Sequence, residues 1–171
     1  MKQRDAIKMT SGEAVEFLYE GMREMWPMFL ATNGPGGYPH VVSMGWIYKD
    51  GKILFQTYSK SQKVLNLRRD PKAAVILEAS PYGESGGFEH RRLRGLMIRG
   101  VCELEESPAR VIEILTAMWQ NGADRNVRLG ARPQTGLLAF VKQRSGKRIA
   151  ISFEPRKWAS WDHGKLAAGT Y

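Results

Sequence analysis

Apolar residues recur at helical spacing in two long segments of the chain. The first begins after Thr10, which together with Glu13 forms the pattern of a capping box, and it predicts an amphipathic helix over about residues 11–22. The second begins after Ser107-Pro108, a pair typical of a helix N-cap and first helical position. Its apolar stripe predicts a helix that Gly122 ends.

Seven other runs are alternating or continuously apolar, which predicts strands. Asp50-Gly51 is typical of a type I′ hairpin turn, so the run before it should pair antiparallel with the run after it. Ser145-Gly146 indicates a second hairpin, and the glycine-rich segment 80–89 indicates a loop. The predicted strands cover residues 28–32, 40–48, 52–58, 73–79, 93–105, 136–144 and 147–154.

Six or seven antiparallel strands with two or three helices predict a mainly β, α+β fold, a small closed barrel with helices packed outside it. Length and composition fit this fold, because 171 residues with 43% apolar and 25% charged residues indicate one soluble globular domain over 1–171. The N-terminus has no apolar core of a signal peptide, and no run is long enough to span a membrane, which predicts a cytoplasmic protein.

Few side chains point to chemistry of their own. The single Cys102 excludes an intrachain disulfide and a cysteine-based zinc cluster. The three histidines, His40, His90 and His163, do not have the spacing of metal ligands, so no metal site is expected. A nucleophile-elbow motif is also absent from the sequence. A bound cofactor is therefore the expected source of any chemistry.

The formal net charge of +9 is concentrated in part of the chain, because residues 125–148 contain seven Lys or Arg and no Asp or Glu. Such a surplus attracts anions: a nucleic acid, a phosphorylated cofactor or an acidic substrate tail. Nucleic acid is disfavoured, since the basic residues match no helix-turn-helix, zinc-finger or basic-zipper pattern. A basic nucleic-acid-binding barrel remains a third hypothesis.

The segment after the apolar run 53–55 combines these expectations. The run continues as Gln56-Thr57, turns through serines and lysines, and enters a short helix predicted over Ser61–Arg69, before Asp70-Pro71. Free amides and the dipole at a helix N-terminus favour an anion, and Lys63 adds a full positive charge. The segment predicts a phosphate site of a flavin-type cofactor; the alternative is an ordinary capped surface helix with solvated lysines.

These and other motifs give the chain a resemblance to a known family. It resembles the pyridoxamine 5′-phosphate oxidase-like family, the flavin and deazaflavin reductases of the FMN-binding split β-barrel fold. The matching segments follow the family's order over most of the chain: 29–32, 37–42, Asp50-Gly51, 56–57, 63–71, 93–100 and 160–166.

The resemblance implies cofactor-binding residues by position. His40, Val41, Val42 and Ser43 would run along the isoalloxazine ring and ribityl chain, Gln56 and Thr57 would contact the polar edge of the ring, and Ser61, Gln62 and Lys63 would bind the phosphate. Oxidase members have Arg at the position of Gln62, and often at that of His40, which favours the reductase branch. The implied cofactor is FMN, or alternatively an 8-hydroxy-5-deazaflavin coenzyme with an acidic tail.

The resemblance also implies an activity and an assembly. The expected protein is a homodimeric oxidoreductase with cofactor sites at the interface, which transfers hydride between the bound cofactor and a small organic substrate. No catalytic side chain is assigned. Trp161 and His163, in the tail 155–171, either reach the substrate side of the pocket or pack on the barrel. The alternative function is a non-catalytic flavin or haem carrier of the same fold.

Overall fold

A computed structural model of the chain describes residues 7–79, 82, 86–130 and 135–166. All seven strands belong to one antiparallel sheet with the order β2-β1-β5-β6-β7-β4-β3. The strands are β1 (Met28–Asn33), β2 (Pro39–Met44), β3 (Ile47–Lys49), β4 (Lys52–Tyr58), β5 (Lys72–Glu78), β6 (Arg94–Glu105) and β7 (Arg148–Asp162).

The connection between β2 and β3 shows how strongly this sheet curls. The two strands lie at opposite edges of the sheet, yet Gly45 and Trp46 alone separate them in the chain. Because two residues span only about 10 Å at most, the two edges must come together at that point. The sheet is therefore a split barrel, which confirms the predicted fold class.

Within the described residues, four α-helices pack around the sheet: α1 (Ser11–Arg23), α2 (Gln62–Arg69), α3 (Pro108–Arg128) and α4 (Leu137–Ser145). Helix α1 buries Phe17 and Leu18 in the main core, which includes inward-facing residues from the sheet. A second, smaller core lies between α3 and residues of β3, β4 and β7. Helix α2 packs against β1 and β6 and closes one end of the barrel.

Several local predictions are confirmed. Thr10 and Glu13 form both hydrogen bonds of the capping box, and the Ser107 side chain accepts from the amide of Arg110. Asp50 and Gly51 both have the positive φ angles of a type I′ turn. The register of β6 against β7 shifts between Arg99 and Gly100, which marks a β-bulge or irregularity.

The predicted second hairpin is wrong. Residues 137–145 form helix α4 and not a strand, because Phe140 and Val141 pack against the second core and the Phe140 ring lies 4.8 Å from that of Trp119. The strand after it, β7, pairs instead with β4 and β6. It also continues to Asp162, so residues 155–162 of the predicted tail are strand.

Two other boundaries differ from the predictions. Gly122 does not end α3, which buries this glycine and continues to Arg128. Five positions of the predicted loop 80–89, namely 80, 81 and 83–85, lie outside the described residues. Among the described residues, none of the helices is both long and apolar enough to cross a membrane.

Candidate functional site

The predicted strand, turn and helix around Ser61 are present in the structure. Strand β4 ends at Tyr58, and α2 begins at Gln62 with Ser61 as its N-cap residue. The Ser61 hydroxyl makes no capping hydrogen bond, and its Oγ atom is buried without a partner. The N-terminus of α2 therefore keeps the unpaired amides that favour an anion.

Lys63 points towards the end of β4. Its Nζ donates to Thr57 Oγ1 over 3.1 Å, and no carboxylate among the described residues forms an ion pair with it. Burial, and secondarily the positive charge of Arg148, lower the pKa of the Lys63 ammonium. Lys63 thus supplies a partly desolvated positive charge, which an anion would stabilise.

Arg148 is a second cation at this site, and the sequence-based assignment missed it. It lies opposite Tyr58 in the β4–β7 pairing, with its guanidinium carbon 4.3 Å from the centre of the Tyr58 ring. Its Nη1 donates to Gln56 Oε1 over 2.5 Å, while its Nε is buried without a partner. Gln56 and Thr57, both buried, therefore orient the two cations of the site, Arg148 and Lys63 respectively.

A chain of hydrogen bonds, buried at its centre, joins α2 to β1 and β2. Gln62 Nε2 donates to Asn66 Oδ1 over 2.8 Å, and Asn66 Nδ2 donates to Thr32 Oγ1 over 3.0 Å. The Thr32 hydroxyl in turn donates to the carbonyl of His40 at 3.4 Å. The helix N-terminus and β2 are thereby held in a fixed relation, although the sequence motifs that contain Asn66 and Thr32 assigned neither residue a role at the site.

The route by which β2 reaches the site differs from the prediction. Residues 40–48 were expected to pair with 52–58 as one hairpin, but only β3 pairs with β4, and β2 pairs with β1. The strand breaks at Gly45-Trp46. A side chain at position 45 would be too close to Met118, because a Cβ there would lie 2.4 Å from Met118 Cε. Trp46 is held in place by a hydrogen bond from its Nε1 to the Trp26 carbonyl. This bend, in which Trp46 is buried, sends the two halves to opposite edges.

The four predicted residues of β2 point to two faces of the strand. His40 and Val42 are partly buried, and Val42 packs against the main core. Val41 and Ser43 are exposed on the other face. His40 Nδ1 is buried without a partner, like Ser61 Oγ and Arg148 Nε. Strand β2 is also an edge strand, so one side of its backbone has no strand partner among the described elements.

Other groups in the described chain offer little chemistry. Burial raises the pKa of the Cys102 thiol to about 12, so it is a poor nucleophile. No group of three or more His, Cys, Asp or Glu residues among those described could hold a metal ion. A cavity of about 660 Å³ lies between the start of α1 and the end of β7, on another part of the barrel.

The basic surplus of residues 125–148 is divided among several roles. Arg125 and Arg128 pair with Glu24, Arg144 lies over the Phe140 ring, and Arg148 belongs to the anion site. Arg132 lies outside the described residues. The described cations of this segment thus take part in separate local contacts, which does not add support to the nucleic-acid hypothesis.

Comparisons with solved structures agree with the observed architecture. A conserved hypothetical protein, Rv2991 from Mycobacterium tuberculosis, is 30% identical with a TM-score of 0.76, and the match covers 100% of both chains. The haem storage protein HutZ from Vibrio cholerae is 12% identical with a TM-score of 0.57, covering 88% of this chain and 92% of that one.

An FAD-binding protein from Mesorhizobium loti is 13% identical with a TM-score of 0.55, covering 89% of this chain and 92% of that one. At such low identities the last two likenesses show the fold alone. Among curated protein sequences, none matches the chain. The model of the family described as pyridoxamine 5′-phosphate oxidase matches residues 16–162. Because this match covers most of the 171 residues, the chain belongs to the pyridoxamine 5′-phosphate oxidase family.

Proposed function

We propose that this protein is an oxidoreductase that binds a flavin-type cofactor, FMN or a deazaflavin, with the cofactor phosphate at the N-terminus of α2. The observation that carries the proposal is a set of buried, unpartnered polar atoms on the elements that would hold the cofactor. Ser61 Oγ and Arg148 Nε belong to the proposed phosphate site and His40 Nδ1 to the strand proposed for the ring, and together they are three of the five such side-chain atoms among the described residues. Buried polar atoms are usually paired, so unpaired ones at these positions favour a missing ligand.

The chemistry of these donors fits a phosphate. Ser61 offers a hydroxyl, the helix offers its first amides, and Lys63 and Arg148 offer charge-assisted hydrogen bonds. Gln62 contributes less directly, because its side-chain amide is hydrogen-bonded to Asn66. Oxidase members have Arg at position 62, where this chain has a glutamine whose side chain orders the helix. In this chain Arg148 supplies a guanidinium from the neighbouring strand instead.

The ring of the cofactor would lie towards β2 in this proposal. His40, Val41, Val42 and Ser43 belong to an edge strand, and the hydrogen bonds through Thr32 and Asn66 hold this strand in a fixed relation to the phosphate site. When bound, a flavin or deazaflavin supplies hydride transfer, and the protein positions it and excludes water. Gln56 and Thr57 serve the site by holding Arg148 and Lys63.

The proposed assembly is a homodimer with the cofactor near the interface. Strands β2, β1 and β5 expose the side chains of Val41, Phe29 and Ile76 on one face of the sheet. These three side chains are 57%, 44% and 38% exposed, respectively. A second copy would cover this apolar face, and it would also bury the β2 edge beside the ring.

Titration of the purified protein with FMN and with a deazaflavin tests the proposal. Lys63→Ala should weaken binding by about 1.5–3 kcal/mol, the range for charge-assisted hydrogen bonds, because it removes the ammonium that faces the phosphate. Lys142→Ala is the matched control, since Lys142 is an exposed lysine on α4 outside the site, and it should leave the affinity unchanged. Equal affinities for wild type and Lys63→Ala would place the phosphate elsewhere.

A second measurement separates an enzyme from a carrier. Stopped-flow reduction of the bound cofactor by candidate donors should show hydride transfer fast enough for turnover. If the cofactor binds, and binds more weakly to Lys63→Ala, but no donor reduces it, the protein is a carrier.

A further inference from the structure

The cavity of about 660 Å³ between the start of α1 and the end of β7 lies on the core side of the sheet. Trp158, in its lining, is opposite Ile98 in the β6–β7 pairing, so the two side chains share one face. Ile98 alternates with Met97, which is in register with Ile76 on the exposed face. The cavity is therefore separate from the face proposed for the dimer, and none of the proposed cofactor-binding residues lines it.

Trp158 is unusually exposed for a residue on this side of the sheet. It is 42% exposed, whereas Ile98 beside it and Leu96, which also lines the cavity, have no exposed surface. Met9 and Val15 form the facing wall, and both also pack against the main core. The Trp158 ring thus offers an apolar surface inside a concave site, and a bound molecule would gain from covering it.

The walls of this cavity are joined by two hydrogen bonds. The amide of Asp162 donates to the carbonyl of Ile7 over 2.7 Å, and the amide of Met9 donates to Ser160 Oγ over 2.9 Å. These bonds fix the segment before α1 to the end of β7. The cavity is therefore formed before a ligand arrives, as small-molecule sites usually are.

The polar groups of the lining favour a ligand that accepts hydrogen bonds. Thr10 Oγ1 and Ser160 Oγ each accept from a backbone amide, so each hydroxyl still has its own proton to donate. Lys8 adds a positive charge, and the described lining contains no carboxylate. The carboxylate of Glu13, at the cap of α1, is bound by Lys165 Nζ at 2.6 Å.

We propose that this cavity is a second binding site, which takes a small aromatic acid. The ring of the ligand stacks on Trp158, and its acidic group faces the hydroxyls of Thr10 and Ser160. The volume fits this class of ligand, since sites for small molecules measure about 300–1,000 Å³. The inference does not depend on the proposed function, because the two sites share no residue.

Calorimetric titration with the aromatic acid 8-anilinonaphthalene-1-sulfonate tests the proposal. One molecule should bind per chain, and saturating FMN should not prevent it. Trp158→Ala should weaken binding about five- to twentyfold, because it removes the stacking surface. Val15→Phe, which keeps Trp158 and fills part of the cavity, should weaken binding as well. Tyr38→Ala is the control, since it removes an exposed ring outside the cavity, and it should leave the affinity unchanged.

A matched pair of smaller ligands tests the polar end of the site. 1-Naphthoate should displace the dye, whereas 1-naphthylmethylammonium, with the same rings and a positive charge, should not. Equal displacement by both would overturn the inference, and so would unchanged dye affinity in the cavity variants. Should Trp158→Ala not fold, Val15→Phe alone decides. Loss of dye binding on addition of FMN would place the dye in the cofactor site and would also overturn the inference, whereas the proposed function is tested separately by Lys63→Ala.

Discussion

Lys63 and Arg148 bring two positive charges to one end of the barrel without a carboxylate between them. Their mutual repulsion and the partial burial of Lys63 both lower the pKa of the lysine. Such an arrangement costs stability in the absence of a ligand, as binding sites commonly do. The same residues should therefore have opposite effects on stability and on cofactor affinity.

Lys63→Met tests this opposition. A methionine keeps most of the side-chain volume and removes the charge, so the Tm of the cofactor-free protein should rise by about 1–3 °C, a small gain because Lys63 is partly solvent-screened. The pKa of Lys63 is lower in the folded protein than in the unfolded chain, so the charged lysine destabilises the fold at any pH at which it is protonated. This destabilisation fades as pH rises through the lowered pKa towards 10.5. Differential scanning calorimetry at several pH values measures both effects.

Lys142→Met, a charge change at an exposed position of α4, should leave the Tm unchanged. A lower Tm for Lys63→Met would show that the hydrogen bond to Thr57 outweighs the repulsion.

Ser61 and Lys63 could be placed at a helix N-terminus from the sequence because strand, turn and helix signals follow one another within a few residues. Arg148 could not, since its role depends on which strand lies beside β4. That neighbour, β7, was assigned to a hairpin with residues 136–144. Asn66 and Thr32 were missed for a similar reason: their hydrogen bond joins residues 34 positions apart.

At the scale of elements, α4 shows why a helix was predicted as a strand. Residues 137–141 are continuously apolar, a pattern that fits a buried strand as well as a helix. Gly136 precedes the helix with a φ of 94° and provides no side-chain cap, so the sequence lacks a start signal. Packing against α3 decides the outcome.

The pairing of β6 with β7 depends on a close contact at Gly95. This glycine lies opposite Trp161, and a Cβ added to it would lie 2.2 Å from Cζ2 of the indole. Gly95→Ala should therefore displace Trp161 and destabilise the protein by about 1–3 kcal/mol, the usual cost of overpacking. Chemical denaturation monitored by tryptophan fluorescence measures this loss.

Gly12→Ala provides the contrast, because no atom lies within 4 Å of a Cβ at that helical position. It should stabilise α1 by about 0.5–1 kcal/mol, through the helix propensity of alanine. If the two substitutions had the same effect, the contact between Gly95 and Trp161 would not be a determinant of stability.

At the scale of the whole molecule, the barrel is covered unevenly. Helix α1 contributes to the main core and α3 packs against β3, β4 and β7, whereas one face of β1, β2 and β5 exposes Phe29, Val41 and Ile76. Two rows of side chains cross that side in register: Ser43–Phe29–Ile76–Met97–Ala159 and Val41–Ala31–Ala74–Arg99–Lys157. The first row is almost wholly apolar, and the second contains small residues that would allow another sheet to approach closely.

Ile76→Glu tests whether a second copy covers this face. Ile76 is 38% exposed at the middle of the apolar row, so a carboxylate there is tolerated in a monomer and is buried without a partner in the proposed dimer. Light scattering coupled to gel filtration should give twice the chain mass of 19.3 kDa for wild type and a single chain mass for the variant. Leu138→Glu, at an apolar residue of α4 that is 85% exposed, should remain dimeric.

Because β2 borders the proposed ring site, the monomeric variant should also bind cofactor more weakly. A wild-type protein that runs as a monomer would contradict the proposed assembly, and the cofactor ring would then have to be enclosed by one chain alone.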